Sequence, residues 1–251
     1  MTENKKRTIN LSLPFRGTGG LFRDIKESVL HLLFPHVCEA CGTDVLQDDH
    51  FLCLKCYASL PKTEFHLYPN NPIEKIFWGR LPITSATAQY YFTKESVMQH
   101  LMHQLKYRGN KELGIYLGRL MGHALANSNR FRFIDALIPL PLHSSKERKR
   151  GYNQATVLCE GITEVLQKPI LKDVIIRTTH TESQTQKSRV ERWQNMEGRF
   201  ELVNPDVLKG KHVLLIDDVI TTGATLEACG SVLMEAENLQ LSIATLCYSS
   251  R

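Results

Sequence analysis

The chain has 251 residues, enough for one substantial core with a small accessory module or for two modest domains. Its 31 Lys+Arg against 26 Asp+Glu leave a net charge of +5, which permits a polyanionic partner without requiring one. No run of about 18 apolar residues occurs, which argues against membrane insertion, and seven cysteines, four of them in two Cys-x-x-Cys pairs, fit a metal site in a reducing compartment better than a secreted disulfide framework.

In chain order, residues 1–20 are polar, carry Gly17, Gly19 and Gly20 near their end and lack the apolar core of a signal peptide. They are expected to be a flexible tail on a cytoplasmic chain. Leu21, Ile25, Val29 and Leu32 then recur at helical spacing and lead into Cys38, Cys41, Cys53 and Cys56, with Gly42 directly after the first pair. Two residues between cysteines let both thiolates reach one ion from a tight turn, and four thiolates close a tetrahedral shell, so a structural zinc is expected. A rubredoxin-like iron site or a redox pair would use the same spacing. The module is placed at 21–66, and a linker at 67–80, where Pro69, Pro72 and two asparagines punctuate "LYPNNPIEKIFW".

Beyond the linker, 81–251 alternates strand and helix patterns. "TAQYYF" (87–92) reads as a strand; Val97, Leu101 and Leu105 mark one helix, and Leu113, Leu117, Leu120 and Ala124 another. "IDALIPLPL" (134–142) is an apolar run ending in prolines, and Ala155, Leu158, Ile162 and Val165 mark the next helix. "HVLLIDD" is continuous up to its acids; Leu226, Cys229 and Leu233 follow as a helix, and "SIATLCY" (242–248) closes as a strand. Apolar runs without clean alternation, separated by amphipathic helices, predict an α/β fold whose parallel sheet is covered on both faces. Cys159, Cys229 and Cys247 fall inside these elements and read as buried apolar residues.

The chemistry concentrates in "VLLIDDVITTGAT" (213–225). Ligands of parallel sheets collect at the carboxyl ends of strands, where Asp217 and Asp218 are expected to stand. The loop Val219, Ile220, Thr221, Thr222, Gly223, Ala224, Thr225 enters a helix whose free N–H groups form an anion site. Gly223 and Ala224 are expected to leave room for a phosphate, and the threonine hydroxyls to donate to it. The acids repel that phosphate but accept hydrogen bonds from a vicinal diol, so a sugar 5-phosphate satisfies both.

Two other segments carry charge. "PLHSSKERKRGYNQA" places Lys146, Arg148, Lys149 and Arg150 on what reads as a cationic turn, which can meet a pyrophosphate, a nucleic-acid backbone or only solvent. "RTTHTESQTQKSRVERWQN" (177–195) is polar for almost twenty residues, the pattern of a lid or of a segment without a role. As a lid it brings Arg177, Gln184, Arg189, Arg192 and Asn195 over a charged ligand.

The acidic motif resembles the 5-phosphoribosyl-1-pyrophosphate (PRPP) site of type I phosphoribosyltransferases. The order of four-cysteine module, "LKYRGN" (105–110), "PLHSSKERKRGYNQ", polar segment and "LLIDDVITTGAT" resembles the ComF/GntX family of competence-associated, phosphoribosyltransferase-like proteins over residues 30–250, with Tyr152 where that family often has phenylalanine. The resemblance implies a type I phosphoribosyltransferase-like sheet preceded by a zinc-ribbon-like module. It assigns Asp217 and Asp218 to the ribose diol, Val219 and Thr221 to Thr225 to the 5-phosphate, and the basic segment to pyrophosphate with magnesium, with Arg177 beside the reacting centre. It also implies a role in DNA uptake, with single-stranded DNA and other competence proteins as partners, and Tyr152 and Trp193 are then expected as stacking surface for the strand. Whether PRPP is turned over, and onto which acceptor, stays open.

Overall fold

The computed structural model describes residues 37–44, 51–178 and 200–249. The tail, the helix expected around Leu21 to Leu32, and Gln184, Arg189, Arg192, Trp193 and Asn195 lie outside the described residues.

Four strands form a parallel sheet, β1 (Ser85–Tyr91), β2 (Ala136–Pro139), β5 (His212–Ile220) and β6 (Gln240–Tyr248), in the order β1-β6-β5-β2. Val213 to Ile216 are all buried, as the unbroken apolar run requires of a strand covered on both faces. Alternation still sorts them. Leu214 and Ile216 pack with helices α3 (Val97–Tyr107), α4 (Lys111–Ala126) and α6 (Gln154–Leu166), whereas Val213 and Leu215 pack with α2 (Pro72–Phe77) and α7 (Ala224–Leu233). Strands β3 (Ile175–Arg177) and β4 (Phe200–Leu202) form a separate antiparallel ribbon. Among the described residues no helix is long and apolar enough to cross a membrane.

The proline-bearing stretch expected as a linker contains α2. Pro72 occupies its first turn, where a missing N–H costs nothing, and the Asn71 side chain accepts from the N–H groups of Ile73 (3.0 Å) and Glu74 (3.2 Å). Ile73 and Phe77 are fully buried, and Glu74, itself buried, is paired with Arg130. The asparagine and proline that read as turn residues are here a helix start.

The basic segment is likewise a helix rather than a turn, α5 (Ser144–Arg150). His143 caps it by accepting from the Ser145 N–H, and Gly151 ends it at φ 79°, a left-handed conformation that glycine adopts without penalty. The run between holds good helix formers, with its cations in the last turn, where the helix dipole favours them.

Helices α4 and α6 cross at backbone contact. Gly118 and Gly161 face each other there, and a Cβ built on Gly161 falls 2.0 Å from the Ile115 carbonyl oxygen. The cysteine module shares the larger core: α1 (Leu54–Ala58) carries Cys56, which with Cys38, Leu52 and Leu60 joins the cluster of Tyr90, Met98 and Leu101.

Candidate functional site

Strand β2 ends at Pro139 opposite Ile216, while β5 runs on to Ile220 against β6. The acids expected at a strand tip therefore stand within β5, on the part that has lost its β2 neighbour. Their side chains alternate. Asp218 meets Lys106 of α3, with Lys106 Nζ 2.9 Å from Asp218 Oδ2. Asp217 Oδ1 accepts from the Asp218 N–H at 2.8 Å. Burial, and then the adjacent Asp218 charge, push the Asp217 carboxyl up to about 8, against the opposing pull of that N–H, Lys106 and Arg177. An acid so placed is poised for hydroxyl or proton chemistry near neutrality.

Past Ile220 the chain turns into α7. Gly223, at φ 74°, is the residue before its first turn, no side chain caps it, and Thr221, Thr222 and Thr225 are exposed. The first N–H groups of α7 have no acceptor within the helix, which leaves an electropositive terminus beside hydroxyl donors. Packing gives Gly223 a further reason to lack a side chain. A Cβ there would lie 2.6 Å from Ile76 Cγ2 and 3.2 Å from Phe77 Cε1, so its missing side chain accommodates α2. Val219 packs partly on the α3 side of the sheet, and Ala224 is the first residue of α7. The loop is braced by Arg80, which donates to the Thr222 carbonyl at 3.3 Å and pairs with Glu227 in the first turn of α7.

Helix α5 follows β2 at this same end of the sheet. Lys146, Arg148 and Lys149 are exposed, whereas Arg150 turns back to donate to Gln154 Oε1 at 2.6 Å and lies 5.9 Å over the Tyr107 ring. Tyr152 is not a stacking surface: its side chain is buried and its hydroxyl donates to the Leu105 carbonyl. Arg177 ends β3 with its guanidinium 5.4 Å from the Phe200 ring, and its charge reaches Asp217.

The four cysteine sulfurs of 38, 41, 53 and 56 lie within 4.8 Å of one another. Cys41 and Cys53 sulfurs are 3.8 Å apart. A tetrahedral zinc with bonds of about 2.3 Å sets sulfur separations of about 3.8 Å, whereas a disulfide holds them at about 2.05 Å. Gly42, at φ 72°, closes the turn by donating to the Cys38 carbonyl at 2.8 Å, and the Cys53 N–H points at Cys38 Sγ at 3.3 Å. Burial opposes ionisation of Cys38, but the N–H groups of Cys53, Cys41 and Ala40 outweigh it and bring the thiol down to about 7. The four residues thus fit a zinc ion. Replacing Cys56 with Ser is expected to release the metal to a colorimetric chelator and lower Tm, while Cys159→Ala, deep in the core, keeps its zinc.

Residues 153–251 match the phosphoribosyl transferase domain model. The chain is 33% identical to competence protein F of Haemophilus influenzae over 208 residues, 81% of this chain and 86% of that protein. The chain belongs to the competence protein F family. Within it, DNA utilization protein YhgH of Escherichia coli O157:H7 is 29% identical over 84% of this chain and 89% of its own. Competence protein ComFC of Bacillus subtilis is 25% identical over 83% and 75%.

In this competence protein F relative, sequence reading missed Lys106 and Arg80. Lys106 sits in "LKYRGN", a segment that carried the family resemblance but suggested no role, and nothing local marks Arg80. Among the described residues only the four cysteines form a protein-only metal cluster. Magnesium ordinarily keeps several waters and binds through few protein groups plus phosphate oxygens, so an ion that arrives with a pyrophosphate ligand needs no protein-only cluster of its own.

Proposed function

We propose that this chain binds PRPP together with magnesium and uses that site in the handling of incoming DNA. The observation that carries the reading is the acidic pair on β5 beside the uncapped N-terminus of α7. The 5-phosphate takes the N–H groups of Ala224 and Thr225 and the hydroxyls of Thr221, Thr222 and Thr225, and the ribose hydroxyls donate to Asp217 and Asp218. Lys146, Arg148, Lys149 and Arg150 serve the pyrophosphate end or a DNA backbone, with Gln184, Arg189 and Arg192 as further donors and Arg177 near the anomeric carbon. Magnesium supplies charge neutralisation of the pyrophosphate when bound.

The names of the relatives support the DNA role, and the exposed cations of α5 are where a single strand would be held. Catalytic transfer, in which pyrophosphate leaves the anomeric carbon and an acceptor takes its place, needs a nucleophile that no described residue identifies, so binding is the leading reading. A PRPP site alone does not distinguish sensing from turnover.

Calorimetric titration tests it. PRPP with magnesium is expected to bind, ribose 5-phosphate more weakly, and omission of magnesium to weaken PRPP; no heat with PRPP overturns the assignment. Single-stranded oligonucleotide is expected to bind with a steep salt dependence that Arg148→Gln with Lys149→Gln flattens by about 1.4 units of slope, at roughly 0.7 for each of the two phosphate contacts. Pyrophosphate release in the presence of candidate acceptors would instead favour the transferase.

A further inference from the structure

Glu39 lies between two of the cysteine ligands, Cys38 and Cys41, yet its side chain faces away from them. Its Oε2 accepts from Gln104 Nε2 at 2.6 Å, its Oε1 from Asn110 Nδ2 at 2.9 Å, and its main-chain carbonyl from the same Gln104 amide at 3.0 Å. Its own N–H donates to the Phe51 carbonyl at 2.9 Å, so the knuckle is anchored on both sides of the residue. Gln104 and Asn110 bracket the corner between α3 and α4, and Lys106, which holds Asp218 at 2.9 Å, lies between them. Asn110 is already committed at its other atom, where Oδ1 accepts from the Leu113 N–H at 3.0 Å and starts α4.

We infer that Glu39 is a positioning residue that couples the four-cysteine centre to the acidic pair. A lysine side chain is flexible, and its pair with the half-buried Asp218 forms only where the lysine is held within reach. Lys106 remains on Asp218 because the corner that carries it is anchored at three points: the Gln104 and Asn110 side-chain amides by the Glu39 carboxylate, and the Leu105 carbonyl by the Tyr152 hydroxyl. Glu39 is the one of these holders whose own position is set by cysteines 38 and 41, so an ordered knuckle and an ordered Lys106 corner occur together. The consequence at the site is electrostatic. Lys106 offsets the Asp218 carboxylate, and its displacement leaves that charge uncompensated, facing a polyanionic ligand. This effect on affinity rests on the PRPP reading; the coupling of Glu39 to Lys106 does not.

The test uses the full, zinc-loaded chain. Brief acylation with an amine-reactive ester, quantified by mass spectrometry, compares Lys106 with exposed Lys149. Glu39→Ala is expected to raise Lys106 labelling about tenfold, to the level of Asp218→Asn, with zinc content unchanged. Where that variant fails to fold or loses zinc, Asn110→Asp keeps the helix cap but sets a carboxylate against Glu39, and the same rise is expected. Lys106 as protected in a folded, zinc-loaded variant as in the native chain overturns the inference. In the second arm, Glu39→Ala is expected to weaken PRPP with magnesium about tenfold, and Lys106→Met added to it to cause no further loss, the signature of residues acting as one unit. Additive losses overturn the coupling. A native chain that binds no PRPP defeats the functional proposal alone, since the labelling arm still decides the role of Glu39.

Discussion

Titrated with PRPP and magnesium above pH 8, where Asp217 has lost its proton, the Asp217→Asn, Asp218→Asn double variant is expected to bind at least about 100-fold more weakly than the native chain, from the loss of two charge-assisted hydrogen bonds of about 1.5–3 kcal/mol each. Asparagine keeps the shape and one acceptor oxygen, so the loss measures charge rather than a cavity. Stability should move the other way. Asp217 is raised from 3.8 to about 8 by burial and by the Asp218 charge, so the native state holds a proton that the unfolded chain has already released. Between those two values the ligand-free protein loses stability as pH rises, because ionisation is easier in the unfolded state. Asp217→Asn removes that slope and is expected to melt higher than the native chain near pH 8. Ligand affinity rises over the same pH window, since the ionised carboxylate is the stronger acceptor for a ribose hydroxyl. A double variant that binds PRPP within about threefold of the native chain would remove the acids from the ribose site.

The second large effect concerns the scaffold. Gly161→Ala is expected to lower stability by about 3 kcal/mol, or roughly 6–12 °C in Tm for a domain of this size. A Cβ at 161 falls 2.0 Å from the Ile115 carbonyl oxygen, 2.7 Å from the Arg119 nitrogen and 2.9 Å from the Gly118 carbonyl carbon. All three are backbone atoms, so no rotamer change relieves the clash and the helices must separate. Separation also strips the cluster in which Leu113, Leu117, Leu158 and Ile162 are fully buried. Gly109→Ala is the control. It lies at φ 71° with nothing within 4 Å of a new Cβ, so only backbone strain of about 1–2 kcal/mol applies. Thermal unfolding followed by circular dichroism separates the two. Equal losses would show that α4 and α6 have room to spread.

Much of the fold was legible because parallel strands buried on both faces must be continuously apolar. Val213 to Ile216 announced β5, and "SIATLCY" its neighbour β6. The cysteine spacing was legible for a similar reason: two ligands from one tight turn require a short, fixed separation. Local signals misled where one residue type serves opposite ends. Asn71 and Pro72 read as a joint and start a buried helix, since the same preferences favour turns and helix N-termini. The basic run read as a turn because charge drew attention away from helix-forming side chains bounded by His143 and Gly151. Tyr152 read as an exposed stacking ring, and nothing in its neighbours revealed that the Leu105 carbonyl, 47 positions back, would accept from its hydroxyl.

By itself the sequence determined the α/β alternation, the four-cysteine centre, the order of acids, loop and helix at 217–225, and the family. Those features are local: each depends on residues within a few positions of one another and on backbone geometry common to all proteins. Only the tertiary structure decided that Lys106 meets Asp218, that Arg80 braces the loop, that Gly223 makes way for α2 and that Glu39 ties the cysteine knuckle to the corner carrying Lys106. These contacts join residues far apart in the chain. A lysine or glutamate carries no mark of its distant partner, and the packing of helices on the sheet selects which of the many available charges come within hydrogen-bond reach.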